Sequence, residues 1–203
     1  MNSGNNICNA LRVMIKTYEN VQKLMNYTKI YALEKTKYYL AVPKFLRRKS
    51  DNDITAWLIN DFILLFQHND DSDCETDNGW KNAPIYVMEI YLGSAESEEG
   101  DVPQIYLSKF EYNDLNGWSE GCSPANNWVF YWPPIDEELM DIVENEGYSI
   151  SKPKNEKASK KYWGVNKVTT LEISLMDVTS DNLEQLIFEN FDKLRRMESV
   201  INE

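Results

Sequence analysis

The sequence predicts an α+β fold: a mostly antiparallel sheet of about four to five strands, with N- and C-terminal helices packed on it. Three observations carry this. Apolar residues recur at helical spacing near both ends of the chain, β-forming residues gather in short runs between them, and polar stretches bearing Gly or Pro separate those runs. At 203 residues the chain has ample length for one core. Residues 1–203 therefore read as a single α+β domain. It has a basic helical head (1–50), an acidic, hairpin-rich middle (51–150), and a strand plus long helix (162–201).

Residues 5–26 place Ile7, Leu11, Met14, Ile15, Val21, Leu24 and Met25 mostly three and four apart, which predicts an amphipathic helix with Arg12, Lys16 and Lys23 on its polar side. Residues 28–41 tolerate helix at first, while Tyr38, Tyr39 and Val42 favour extension, and Pro43 ends whatever precedes it. In 52–66, Asp53 is placed as a cap with Ile54, Trp57, Leu58 and Phe62 in helical phase; its tail Phe62-Ile63-Leu64-Leu65-Phe66 fits a buried strand equally well. His68 to Asn82 is polar and acidic, a loop. Ile85–Leu92 and Gln104–Tyr112 are strands of one antiparallel hairpin, joined by an acidic loop from Gly93 to Asp101.

Trp128-Val129-Phe130-Tyr131-Trp132 reads as a third strand, apolar on both faces. Pro133-Pro134 then opens a helix over about 135–146, with Asp136, Glu137 and Glu138 in its first turn and Gly147 at its C-terminal cap. Residues 152–161 lack an apolar anchor and read as a mobile surface loop. Val165 to Met176 alternates as a fourth strand, and Leu183, Leu186, Ile187, Phe191, Leu194, Met197 and Ile201 form the stripe of a closing helix.

Charge is unevenly distributed. The formal net charge of −12 conceals a head of +8, with ten Lys/Arg against two acids. The middle stands at −20, with two Lys against 22 acids, and the final segment is balanced. Clusters of one sign are a clue to partners rather than to fold.

Several chemistries are excluded. His68 is the only histidine, so zincins, C₂H₂ fingers and two-histidine iron sites are out of reach. Cys8, Cys74 and Cys122 form no C-x-x-C pair; an odd, sparse set predicts free thiols in a reducing compartment. Met1 to Asn6 lacks a signal-peptide layout, and no apolar run reaches the roughly 18 residues of a membrane span. A cytoplasmic location without membrane attachment and without a cofactor is the expectation.

The leading functional expectation is a non-enzymatic protein of inhibitor, immunity or regulatory type. It would bind a basic protein through Glu96, Glu98, Glu99, Asp101, Asp136, Glu137 and Glu138, because clustered acids imitate phosphate and speed encounter with a basic surface. The alternative is a metal-dependent nucleic-acid hydrolase. Lys44, Arg47, Arg48 and Lys49 would grip the backbone, and Asp70, Asp71 and Asp73 are weak candidates for holding a divalent ion. Neither the register starting at Asp71 nor that starting at Asp73 fits an EF-hand, no E-x-K tripeptide occurs and no Walker loop is present, so no metal site is assigned. A third reading, ranked last, is glycan binding on the aromatic-rich segment between Tyr106 and Trp132, with Glu89, Glu111 and Glu120 as candidate paired carboxylates.

Overall fold

In the computed structural model, residues 3–47, 57–71, 79–93, 102–115, 118 and 126–197 are described. A helix, α1 (Ser3–Lys35), leads into a short strand, β1 (Tyr38–Leu40). Then come β2 (Asp61–His68), β3 (Ile85–Tyr91) and β4 (Gln104–Tyr112). A short helix, α2 (Trp128–Tyr131), precedes the hairpin β5 (Met140–Asn145) and β6 (Tyr148–Pro153). Helix α3 (Glu156–Lys161) and strand β7 (Val165–Ser174) follow, and α4 (Glu189–Arg196) closes the chain after a π-turn over Glu184–Phe188. The seven strands form one sheet in the order β1-β2-β3-β4-β7-β6-β5, with every neighbour antiparallel. The α+β class and the helices at both ends are as predicted; the sheet is larger than the predicted four to five strands.

The extra strands have identifiable causes. Residues 135–146, expected as a helix, contain turns and then β5. Asp136 does cap backbone amides, accepting from Glu138 N–H at 3.1 Å and Leu139 N–H at 3.2 Å. The chain after it pairs with β6 instead of coiling. Glu146 (φ 50°) and Gly147 (φ 83°) sit between the paired residues Asn145 and Tyr148. Two successive positive-φ residues make a primed hairpin turn, so Gly147 closes a hairpin where a helix cap was expected.

Trp128–Trp132, expected as a strand, is the four-residue α2 (Trp128–Tyr131) with Trp132 as its C-terminal cap, and Val129 and Phe130 are buried. A short run that is apolar on all sides fits a buried helical turn as well as a strand. Residues 152–161, expected as a loop, finish β6 and form α3. Asn155 caps α3 by accepting from Ala158 N–H at 3.0 Å, and Ala158 itself is buried. Of the two readings for Phe62–Phe66 the strand holds, and β2 runs further, into the expected loop at His68, with all eight of its residues buried.

The two faces of the sheet bury different clusters. One face carries Phe62, Leu64, Phe66, Met88 and Leu107 beneath α1, the π-turn and α4, which contribute Val21, Met25, Ile187, Phe191 and Leu194. The opposite face carries Ile63, Leu65, Ile85, Val87 and Phe110, covered by Trp118, Val129, Phe130 and Tyr162. That second cover reaches only part of the face, and the site lies beside it.

Candidate functional site

Alternation along the strands decides which side chains share the partly covered face. The register sets Ile63 opposite Glu89 and Asp61 opposite Tyr91. Glu89 faces Tyr106, and Tyr106 faces Glu172. Asp61, Glu89, Tyr91, Tyr106 and Glu172 therefore lie on one patch of the sheet. The turn after α2 overhangs it, with Pro134 and Ile135 forming a rim. Glu89, Tyr91, Tyr106, Tyr131, Pro134 and Ile135 enclose a pocket of about 150 Å³. Tyr106, Pro134 and Ile135 are shared with an adjoining trough of about 430 Å³, whose carboxylates are Glu137, Glu144 and Glu172. All three carboxylates are exposed. Lys154 Nζ donates to the Glu137 carbonyl at 2.6 Å, placing one cation at the trough's rim.

Glu89 is the unusual member. It is 6% exposed. Burial in low dielectric, reinforced by the like charge of Asp61, holds its carboxyl well above the usual carboxylate range. Burial together with Glu172 and Glu89 pushes the Tyr106 phenol up to about 12, so that hydroxyl keeps its proton at neutral pH. The Tyr91 and Tyr106 rings stand 6.4 Å apart at 47°, and both line the same pocket as Glu89.

The sequence-derived sites separate on the fold. Of the partner-binding acids, Glu137 and Glu138 are exposed, and Glu137 lines the trough. Asp136 faces inward: it accepts from the Tyr162 hydroxyl and from two backbone amides, and lies 3.9 Å from Lys161. Burial raises its pKa, but those donors outweigh burial and leave the carboxyl below its ordinary value. Glu96, Glu98, Glu99 and Asp101 lie outside the described residues, as do Arg48, Lys49 and Asp73.

The divalent-ion candidates are engaged elsewhere. Asp70 pairs with Lys37 at 2.5 Å. Asp71 accepts from Arg195 Nε at 2.5 Å and from the Tyr86 hydroxyl at 2.8 Å. Among the described residues no group of three or more His, Cys, Asp or Glu converges as a metal-binding cluster. Lys44 is exposed, and Arg47 stacks over the Phe45 ring at 5.3 Å. Both flank Leu46, which bridges to Ile63, so they belong to the β1 side of the sheet while the trough lies toward β5. The paired-carboxylate reading fails on geometry. Glu89 and Glu111 point to opposite faces, and Glu111 sits 3.6 Å from both Lys109 and Lys167; Glu120 is outside the described residues.

Sequence reasoning singled out Glu89 only as half of a carboxylate pair and missed Tyr91, Tyr131, Glu144 and Glu172 as neighbours. One signal was present: Glu89 interrupts an otherwise apolar run from Ile85 to Leu92, and a charge in a buried strand calls for a function or a partner.

No family model matches the chain, and neither the curated proteins nor the solved structures yield a match. No helix among the described residues is long and apolar enough to cross a membrane.

Proposed function

We propose that the chain is a cytoplasmic, non-enzymatic protein of inhibitor, immunity or regulatory type that binds a basic macromolecular partner across the acidic trough. One observation carries this reading. Glu137, Glu144 and Glu172, from three separate parts of the chain, line a single concavity of about 430 Å³ on a sheet face. Exposed like charges gathered in a hollow focus the field outward and raise the rate of encounter with a cationic surface. The −20 charge of residues 51–150 adds long-range attraction of the same sign. The hydrolase reading loses support, because Asp70 and Asp71 are committed to cations and the described members of the basic run, Lys44 and Arg47, lie near Leu46 at the β1 side of the sheet, away from the trough.

The test is titration of the full chain with a lysine-rich peptide across a salt series. Affinity should fall steadily as salt rises. A triple variant, Glu137→Gln with Glu144→Gln and Glu172→Gln, should bind more weakly at low salt and show a shallower salt dependence. Binding that ignores salt, or a triple variant that binds as the parent does, defeats the reading.

A further inference from the structure

Glu89 stands apart from the acids around it. Glu137, Glu144 and Glu172 are exposed to water, whereas Glu89 is 6% exposed and lines the pocket wall. Among the described residues no hydrogen-bond donor and no cation reaches its carboxyl. The groups facing it are Asp61 from β2, Tyr91 from its own strand, Tyr106 from β4, Glu172 from β7, and Tyr131 from α2. None is a cation. A buried carboxyl without a partner is costly to keep, and an apolar residue would satisfy the sheet at lower cost.

The pocket's shape restricts what fits. At about 150 Å³ it is smaller than the roughly 300–1,000 Å³ of pockets that enclose whole ligands. It accepts one functional group at the end of a longer chain, and that chain can continue into the trough, because Tyr106, Pro134 and Ile135 border both hollows. Aromatic walls attract cations through the ring face. A single buried carboxyl in a small pocket lined by aromatic residues matches the compact point charge of an ammonium better than the flat fork of a guanidinium.

We propose that this pocket receives a primary alkylammonium, the end of a lysine side chain of the basic partner, with Glu89 as its counter-ion and Tyr91, Tyr106 and Tyr131 as its walls. The proposal rests on the acidic-trough reading and adds the group that is recognised. It carries a proton balance. Burial and Asp61 favour the neutral Glu89 acid in the empty pocket. When the ammonium enters, the O–H bond of Glu89 breaks, its proton leaves to solvent, and the carboxylate pairs with the ammonium. Affinity then rises with pH, by up to about tenfold per unit while the free site remains protonated.

Isothermal titration of the full chain separates the outcomes. The probes are a lysine-rich peptide, the same peptide with norleucine at each lysine, and free 1,5-diaminopentane, in two buffers of different ionisation enthalpy. The parent protein should release protons as it binds the lysine peptide, most at low pH and less as pH rises, and should ignore the norleucine peptide. Glu89→Gln should lose that release and bind about tenfold more weakly. Should Glu89→Gln not fold, Tyr131→Ala at the pocket rim should likewise weaken binding. Glu89→Gln binding with the parent's affinity and proton count overturns the pocket proposal, and the trough reading survives if its triple variant is still weakened. A parent protein that binds no lysine peptide at low salt overturns the trough reading. If diaminopentane alone then binds with proton release, the ammonium pocket stands, with a free amine as its source.

Discussion

Arg195, in the last turn of α4, donates from Nε to Asp71 at 2.5 Å, and the second oxygen of the same carboxylate accepts from the Tyr86 hydroxyl at 2.8 Å. This contact ties the C-terminal helix to the turn after β2 and to the start of β3. Tyr38 extends it by donating to Asp192 at 3.0 Å. Asp71 is therefore a structural residue. Asp71→Ala should cost about 2–3 kcal/mol, the range for removing a charge-assisted partner from a mostly buried site. Arg195→Ala should cost less, because its guanidinium is partly solvated. The two losses should be less than additive in urea denaturation, since the pair shares one interaction. Additive losses would show that the contact contributes nothing in solution.

Two buried groups give stability opposite pH limbs. The folded state raises the Glu89 pKa above 4.5. The native protein thus holds a proton that the unfolded chain releases, and stability declines as pH rises above that value. His68 is lowered below 6.5, first by burial and then by Arg195, against the opposing pull of Asp71, Asp70 and Asp192. Its Nδ1 accepts the Asp70 amide at 3.1 Å, a bond that protonation at that nitrogen breaks. Stability from His68 is present above 6.5 and is lost as pH falls. Melting temperatures over pH 5–9 should show Glu89→Gln flattening the alkaline limb and His68→Gln flattening the acidic limb. If each variant keeps the parent's profile, neither group titrates differently on folding.

Asp136 and Glu137 adjoin in sequence and differ in duty. Asp136 holds the Tyr162 hydroxyl and caps the turn that launches β5, while the Glu137 side chain is exposed at the trough. Asp136→Ala should cost about 1–2 kcal/mol, as losing a capping acceptor does. Glu137→Ala should stay within about 0.5 kcal/mol and weaken binding of a basic peptide. The reverse pattern, with stability following Glu137, would contradict the assignment.

The hairpin β3–β4 and strand β7 were legible because each repeats β-formers between clear breaks, which is the information a strand carries locally. β5 was not legible. Asp136, Glu137 and Glu138 are good first-turn residues, and only pairing with β6 makes the following segment extended. That partner lies just across the two-residue turn at Glu146 and Gly147, and a Gly in that place fits a helix C-terminal cap as well as a primed hairpin turn. The site was hidden for a different reason, which is long-range pairing. Glu89, Tyr106 and Glu172 lie on three strands, and they become neighbours only when β7 pairs with β4 after the β5–β6 hairpin has been inserted between them in sequence. Acid clustering along the chain marked Asp136 to Glu138 and could not tell the inward member from the outward ones.

Helix α1 shows what periodicity omits. Ile7, Leu11, Met14, Tyr18, Val21, Met25, Thr28 and Ala32 follow alternating steps of four and three, one continuous seam. The lower part of the seam is buried, with Val21 and Met25 in the core beneath the sheet. The upper part is not: Ile7 is 64% and Leu11 58% exposed. The same spacing thus describes a covered stretch and an uncovered one, because a stripe reports a helix face and not what lies against it. Met25→Ala should cost about 2–4 kcal/mol through the cavity it leaves. Ile7→Ser and Leu11→Ser should each change stability by no more than about 0.5 kcal/mol. Urea denaturation of the three variants at equal protein concentration measures this difference. A loss at Leu11 matching that at Met25 would mean that the first turns of α1 are covered in solution.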